Sequence, residues 1–175
     1  MEPYQILLLI LVIVVFAYVS VGVYVTSMMV EFSSRLKKRM RGLNLLLYER
    51  SVSLSTIAGQ LSAKGVAFTA SEQECFNALS KATWTSNDEE SFFARVELIK
   101  EATSKIRYLC QANPKQANGA IIVETMGLLE DLEANYRIYI GQYNMDVVGY
   151  NYWIKIPTYR WWAYVLRHRK KSLLS

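Results

Sequence analysis

The side chains in this sequence that could do chemistry are few: Cys75, Cys110, His168, the acidic run Asp88-Glu89-Glu90, and Glu133. A thiol becomes a nucleophile or zinc ligand only beside a base, a cation or further ligands at close spacing. Here the cysteines lie far apart, no CxxC occurs, and the single histidine stands in a basic stretch. Both cysteines therefore read as buried small hydrophobes in a reducing compartment. The acidic run could hold a metal, yet it comes after Thr85, Ser86 and Asn87. With Asp88 these supply capping oxygens, so the run reads as the negative first turn of a helix. Glu133 without a nucleophile, base partner or second acid makes no active site. The expectation is a chain with no catalytic residue, no metal and no cofactor.

The element that holds Glu133 is the longest uninterrupted apolar seam of the sequence. Tyr136, Ile140, Tyr143, Val147, Tyr150 and Ile154 fall at alternating gaps of four and three, the coiled-coil spacing of a helix buried along one side. Glu133 takes the position one step before that seam. It is either half exposed at the bundle edge or buried against a basic residue such as Arg50 or Arg107. Beside the seam the dipeptide Tyr-Asn occurs twice, so Asn144 and Asn151 sit one heptad apart next to the core. A buried amide there needs partners, since an unpaired one costs about 1 to 3 kcal/mol. Neighbouring helices are the expected source. Pro157 ends the helix because it has no amide hydrogen to donate.

The set Glu133, Tyr143-Asn144, Val147, Tyr150-Asn151 and Ile154, with a proline close behind, resembles the C-terminal helix of the LemA family, E-x9-YN-x2-V-x2-YN-x2-I and then P. Asn113-Pro114 stands where that family has Tyr-Pro, and Leu129 where it has leucine. The resemblance spans residues 113–157. Gly141 and Gln142 replace the usual arginines and the spacing to Pro157 is one residue short. Of the family's Asp-Leu-Ile-Pro-Asn-Leu segment only Arg50 and apolar positions between Leu47 and Ile57 remain, which marks a divergent member. The resemblance implies an antiparallel helical bundle, with Pro114, Glu133, Tyr143, Asn144, Val147, Tyr150, Asn151, Ile154 and Pro157 as its structural motif.

Composition agrees with an all-α protein. Of 175 residues 52% are hydrophobic, with only eight glycines and three prolines, which leaves little for sheet turns. Residues 6–25 contain Ser20 as their only strongly polar side chain, and twenty helical residues rise about 30 Å, the thickness of a bilayer core. Residues 1–30 are read as an N-terminal tail and transmembrane helix. No basic residue precedes the run, and no A-x-A comes after it, as a cleaved signal peptide would require. Gly22 and Thr26 offer a small-residue dimer face.

Residues 31–42 form a basic juxtamembrane segment with Arg35, Lys37, Lys38, Arg39 and Arg41 against Glu31. Positive charge beside a span stays on the cytoplasmic side. The expected location is the bacterial inner (cytoplasmic) membrane, single-pass, with the N-terminus outside and the body in the cytoplasm. These cations set topology or hold anionic headgroups. Nucleic acid is not an expected partner, because no base-reading residues are interleaved with them.

Residues 43–157 are the bundle. Leu43, Leu46, Leu47, Leu54, Ile57 and Leu61 carry the first helix to Gly65, with Gly42 as the one kink point of a membrane helix that otherwise runs straight into the body. Ser71-x-x-Glu74 reads as a capping box for a short helix over residues 72–82. A helix from about Asp88 to Cys110 buries Phe92, Val96, Ile99, Ile106 and Leu109. After a turn at residues 112–119, Ile121, Ile122, Met126, Leu129 and Leu132 lead into the seam.

Residues 158–175 form an aromatic and basic tail. Trp161, Trp162, Tyr164, Arg167, Arg169, Lys170 and Lys171 have the composition of an interfacial segment. Counting three long helices as three passes puts this tail at the far end from the membrane, unless the short helix is a full fourth pass that folds it back; packing on the bundle, a neighbouring subunit or a second membrane stay open beside lipid. The leading functional reading is a non-catalytic membrane-anchored scaffold, a homo-oligomer or a docking module for a protein partner at the lipid bilayer. The alternative is a membrane-anchored sensor or adaptor that relays a ligand or partner signal through the bundle.

Overall fold

Few glycines and prolines interrupt the apolar seams, and the computed structural model has no strand among its described residues, 2–82, 84 and 89–174. The helices are α1 (Pro3–Ala63), α2 (Ala70–Lys81), α3 (Glu89–Ala112), α4 (Pro114–Ala117), α5 (Ala120–Lys155) and α6 (Pro157–Val165). The capping oxygens read at Thr85, Ser86, Asn87 and Asp88 lie outside the described residues, as do the side chains of Glu89, Glu90 and Pro157. By its contacts the chain divides into two compact units, residues 39–141 and residues 1–38 with 142–175.

In the unit of residues 39–141, α1 buries Leu43, Leu47, Leu54, Ile57 and Leu61; α2 buries Cys75 and Leu79. Opposite them lie Phe92, Val96, Ile99, Ile106 and Leu109 of α3, and Ile122, Leu129, Leu132 and Tyr136 of α5. Ile121, placed in the seam by its spacing, points outward at 52% exposed. Side-chain contacts give the helix directions. Arg95 of α3 donates to Asn44 of α1 at 3.0 Å, and further along both helices Arg50 and Arg107 line a common groove. Those two helices therefore run the same way. Between them α2 runs back, its Ser71 meeting Lys105 and its Leu79 and Ser80 lying by residues 48–56. The last helix descends, with Tyr136 at Arg50 and Tyr139 at Gly42. The bundle thus makes four passes, and the three-pass count fails because the short α2 is a full pass.

The first helix runs unbroken from the apolar span into the body, from Pro3 to Ala63, and at Gly42 the missing side chain lets the Tyr139 ring lie where a Cβ would come within 2.8 Å. One local expectation is corrected by the structure. The capping box of α2 is Thr69 with Glu72, two residues before the expected pair. Glu72 N donates to Thr69 Oγ1 at 3.3 Å and Thr69 N to the Glu72 carboxylate at 2.7 Å. Gly65, at φ 82°, ends the preceding helix as its freedom at positive φ allows.

In the unit of residues 1–38 and 142–175, every described residue up to Val21 is exposed and burial begins at Gly22. From there Gly22, Val25, Met29 and Leu36 form one covered stripe. The exposed part of α1, Pro3 to Val21, is nineteen residues, or about 28 Å at 1.5 Å each. This helix is long and apolar enough to cross a membrane. Antiparallel to it runs the second half of α5, with Gly149 against Phe32 and Trp153 at 6.4 Å from Tyr24. Pro157 ends α5 and at the same time takes the first position of α6, where its lack of an amide hydrogen costs nothing.

Candidate functional site

The seam of α5 is buried at Tyr136, Tyr143, Val147, Tyr150 and Ile154 and half-buried at Ile140. Beside it the two asparagines find partners, though on no helix. Asn144 donates from Nδ2 to the carbonyl of Leu174 at 2.7 Å and accepts at Oδ1 from the Leu174 amide at 2.8 Å. Asn151 repeats the pattern with Lys171, at 2.8 and 2.9 Å. Each amide thus pairs with both backbone groups of one residue. Seven helical residues separate the asparagines, about 10.5 Å; three residues separate their partners, which cover about 10 Å only when nearly extended. Residues 168–174 are therefore strung along α5 in the opposite direction. The phenol of Tyr150 lies 3.0 Å from Nδ1 of His168. Burial raises the Tyr150 pKa and lowers that of His168, so both stay neutral at pH 7. Leu174 is buried at 4% exposed, while Arg167, Arg169, Lys170 and Lys171 are exposed.

The tail reaches this position through a Schellman turn at the end of α6. His168 N donates to Ala163 O at 2.8 Å and Arg167 N to Tyr164 O at 3.0 Å, the paired bonds of that motif. Arg167 occupies its left-handed position at φ 56°, where glycine is usual. Before the turn, Trp162 packs on α1, its ring centroid 5.6 Å from that of Tyr18 and its benzene edge over Gly22. The expected dimer face at Gly22 and Thr26 is thus covered on Gly22, and Thr26 donates its hydroxyl to Gly22 O at 2.8 Å. Trp161 and Tyr164 remain 54% and 82% exposed.

Of the juxtamembrane cations, Arg35 pairs with Glu31 and lies over the Phe32 ring. Lys37 and Lys38 are exposed. In the unit of residues 39–141, Arg41 is exposed and Arg39 stands 6.0 Å from the Tyr139 ring centroid. Pro114 opens α4 and is exposed.

Glu133 belongs to a separate polar cluster in the unit of residues 39–141. Half-buried, it accepts from Arg137 at 2.7 Å on one oxygen and from Arg107 at 3.3 Å on the other. The Arg137 hydrogen bond, with the Arg50 and Arg107 charges, holds its carboxyl below the usual range. Arg50 is 6% exposed and lies over the Tyr136 ring at 5.5 Å. Burial lowers its pKa and pushes that of Tyr136 up to about 12. Neither Arg50 Nε nor the Tyr136 hydroxyl has a hydrogen-bond partner among the described residues. Arg50, Arg107 and Glu133 line a groove of about 390 Å³ with Lys100, Thr103 and Gln111. No protein-family model, no curated protein and no solved structure matches this chain.

Among the described residues no three metal-ligating side chains come together. Burial raises both cysteine pKa values, which keeps the thiols protonated. Leu174 and the hinge at Arg167 were missed in the sequence. Neither carries a local signal, since leucine and arginine are ordinary in a tail.

Proposed function

We propose that this chain is a non-catalytic, membrane-anchored helical-bundle protein that self-associates, or docks a protein partner, at the bilayer. The observation that carries the reading is the exposed apolar stretch from Pro3 to Val21 and the aromatic collar directly after it. From Gly22 onward the protein covers the helix with Trp162 and Trp153, the latter against Tyr24, side chains of the kind that favour the headgroup region. Exposed cations at Arg167, Arg169, Lys170 and Lys171 follow the turn after Trp162 in the same unit, and a cation near anionic lipid contributes about 1 kcal/mol; Lys37 and Lys38, about 24 Å beyond Val21 along α1, lie outside that range. The resemblance of α5 to the LemA helix supports the helical bundle in this reading. We place the body in the cytoplasm of a bacterium on the charge of residues 31–42 alone. The size of the full chain in mild detergent, by light scattering, tests the self-association: a species of two or more copies is expected, and a strict monomer contradicts it.

A second reading, a sensor that responds to a small anion, is favoured by one feature. Arg50 is a buried cation whose Nε has no partner among the described residues, at the wall of a polar groove. A rise in melting temperature with millimolar phosphate, absent in Arg50→Met, would support it.

A further inference from the structure

The Tyr-Asn repeat of α5 acts here on a peptide backbone and not on a helix neighbour. Both asparagines bond only to main-chain N–H and C=O groups of Lys171 and Leu174, so the pairing asks for an extended strand in register and for no particular side chains between the two points. One apolar side chain, Leu174, is buried at its end. The occupant is joined to α6 by a turn whose left-handed position holds arginine. A non-glycine residue there strains the backbone, and that strain disappears if the turn opens. A detachable strand, a site that reads backbone, and a strained hinge between them are the elements of an exchange between copies.

We propose that residues 168–174 swap between two copies of this chain, each strand seated on Asn144, Tyr150 and Asn151 of the other. The swap rests on the self-association proposed above and names its surface. In trans the strand makes the same bonds to Asn144, Tyr150 and Asn151 as in cis; opening the turn gives up the hydrogen bonds from His168 to Ala163 and from Arg167 to Tyr164, whose groups then face water, and removes the strain at Arg167 twice. Anchoring both copies in one membrane would raise their local concentration, the condition that favours exchange.

The test uses the full chain in two complementary forms. The ladder variant carries Asn144→Ala and Asn151→Ala and keeps its strand. The strand variant carries Lys171→Pro and Leu174→Pro, which removes the two amide hydrogens that the asparagines accept, and keeps its ladder. Differently tagged forms are mixed in detergent and pulled down, with helix content checked by circular dichroism. The expected result is association of the ladder variant with the strand variant and at least tenfold weaker association of either with itself. Arg167→Gly, which relaxes the turn in place, should shift the parent toward monomer by about 25-fold, about fivefold for each of the two turns. If each variant self-associates as the parent does, the swap is wrong and self-association stands on another surface. If the parent associates and the mixed pair does not, the swap is wrong as well. A parent that is monomeric removes both the swap and the scaffold.

Discussion

The benzene edge of Trp162 rests on Gly22 so closely that a methyl group at that position would meet its ring carbons at 2.5 to 2.8 Å. Real Cβ contacts are longer, so Gly22→Ala forces Trp162 off α1. Overpacking of this kind costs about 1 to 3 kcal/mol. The expected outcome is a lower melting temperature for the full chain in detergent and a red-shifted tryptophan emission. Gly59→Ala is the control: nothing lies within 4 Å of a Cβ there, and alanine in a helix interior is favoured by about 1 kcal/mol. Equal melting of parent and Gly22→Ala would show that Trp162 does not pack there.

The cap of α2 separates two registers that the sequence leaves equivalent. Thr69-x-x-Glu72 and Ser71-x-x-Glu74 have the same form, and the structure uses the first. Thr69→Ala should therefore cost about 1 kcal/mol. Ser71→Ala, which loses an exposed bond to Lys105, should cost a few tenths. Urea titration of both variants distinguishes the registers, and the reverse order would restore the second.

These two registers illustrate what spacing can and cannot show. The buried face of α3, Phe92, Val96, Ile99, Ile106 and Leu109, was legible because helix geometry fixes which residues share a face. So was the α5 seam, and so was the apolar span. The partners of Asn144 and Asn151 were not legible. They lie thirty and twenty residues on and arrive through two turns, at Pro157 and Arg167, whose combined direction no periodicity encodes. Similarly, the capping registers are decided by which glutamate is buried, and Glu72 is 7% exposed.

Acid should weaken the cluster around Glu133. Its folded pKa lies below the unfolded value of about 4.3. The stability it contributes is therefore fully present above that value and is lost as pH falls through the folded one. Glu133→Gln keeps the size and removes the charge, leaving Arg50, Arg107 and Arg137 without it. Parent and variant should differ by a constant interval in melting temperature from pH 7 to about pH 5, and the interval should shrink below about pH 4.3. A difference unchanged to low pH would mean that the charge of Glu133 does not stabilise the bundle.

Copies of this chain are expected to meet while anchored in one membrane, and counting them there is the most direct check. Full-length chains, each with one dye, are reconstituted into a supported bilayer at a density too low for chance overlap, and photobleaching steps are counted for each spot. Spots should stay in the bilayer through high-salt washes and bleach in two or more steps. Spots that all bleach in a single step, or chains that wash off, would contradict a self-associating, membrane-anchored bundle.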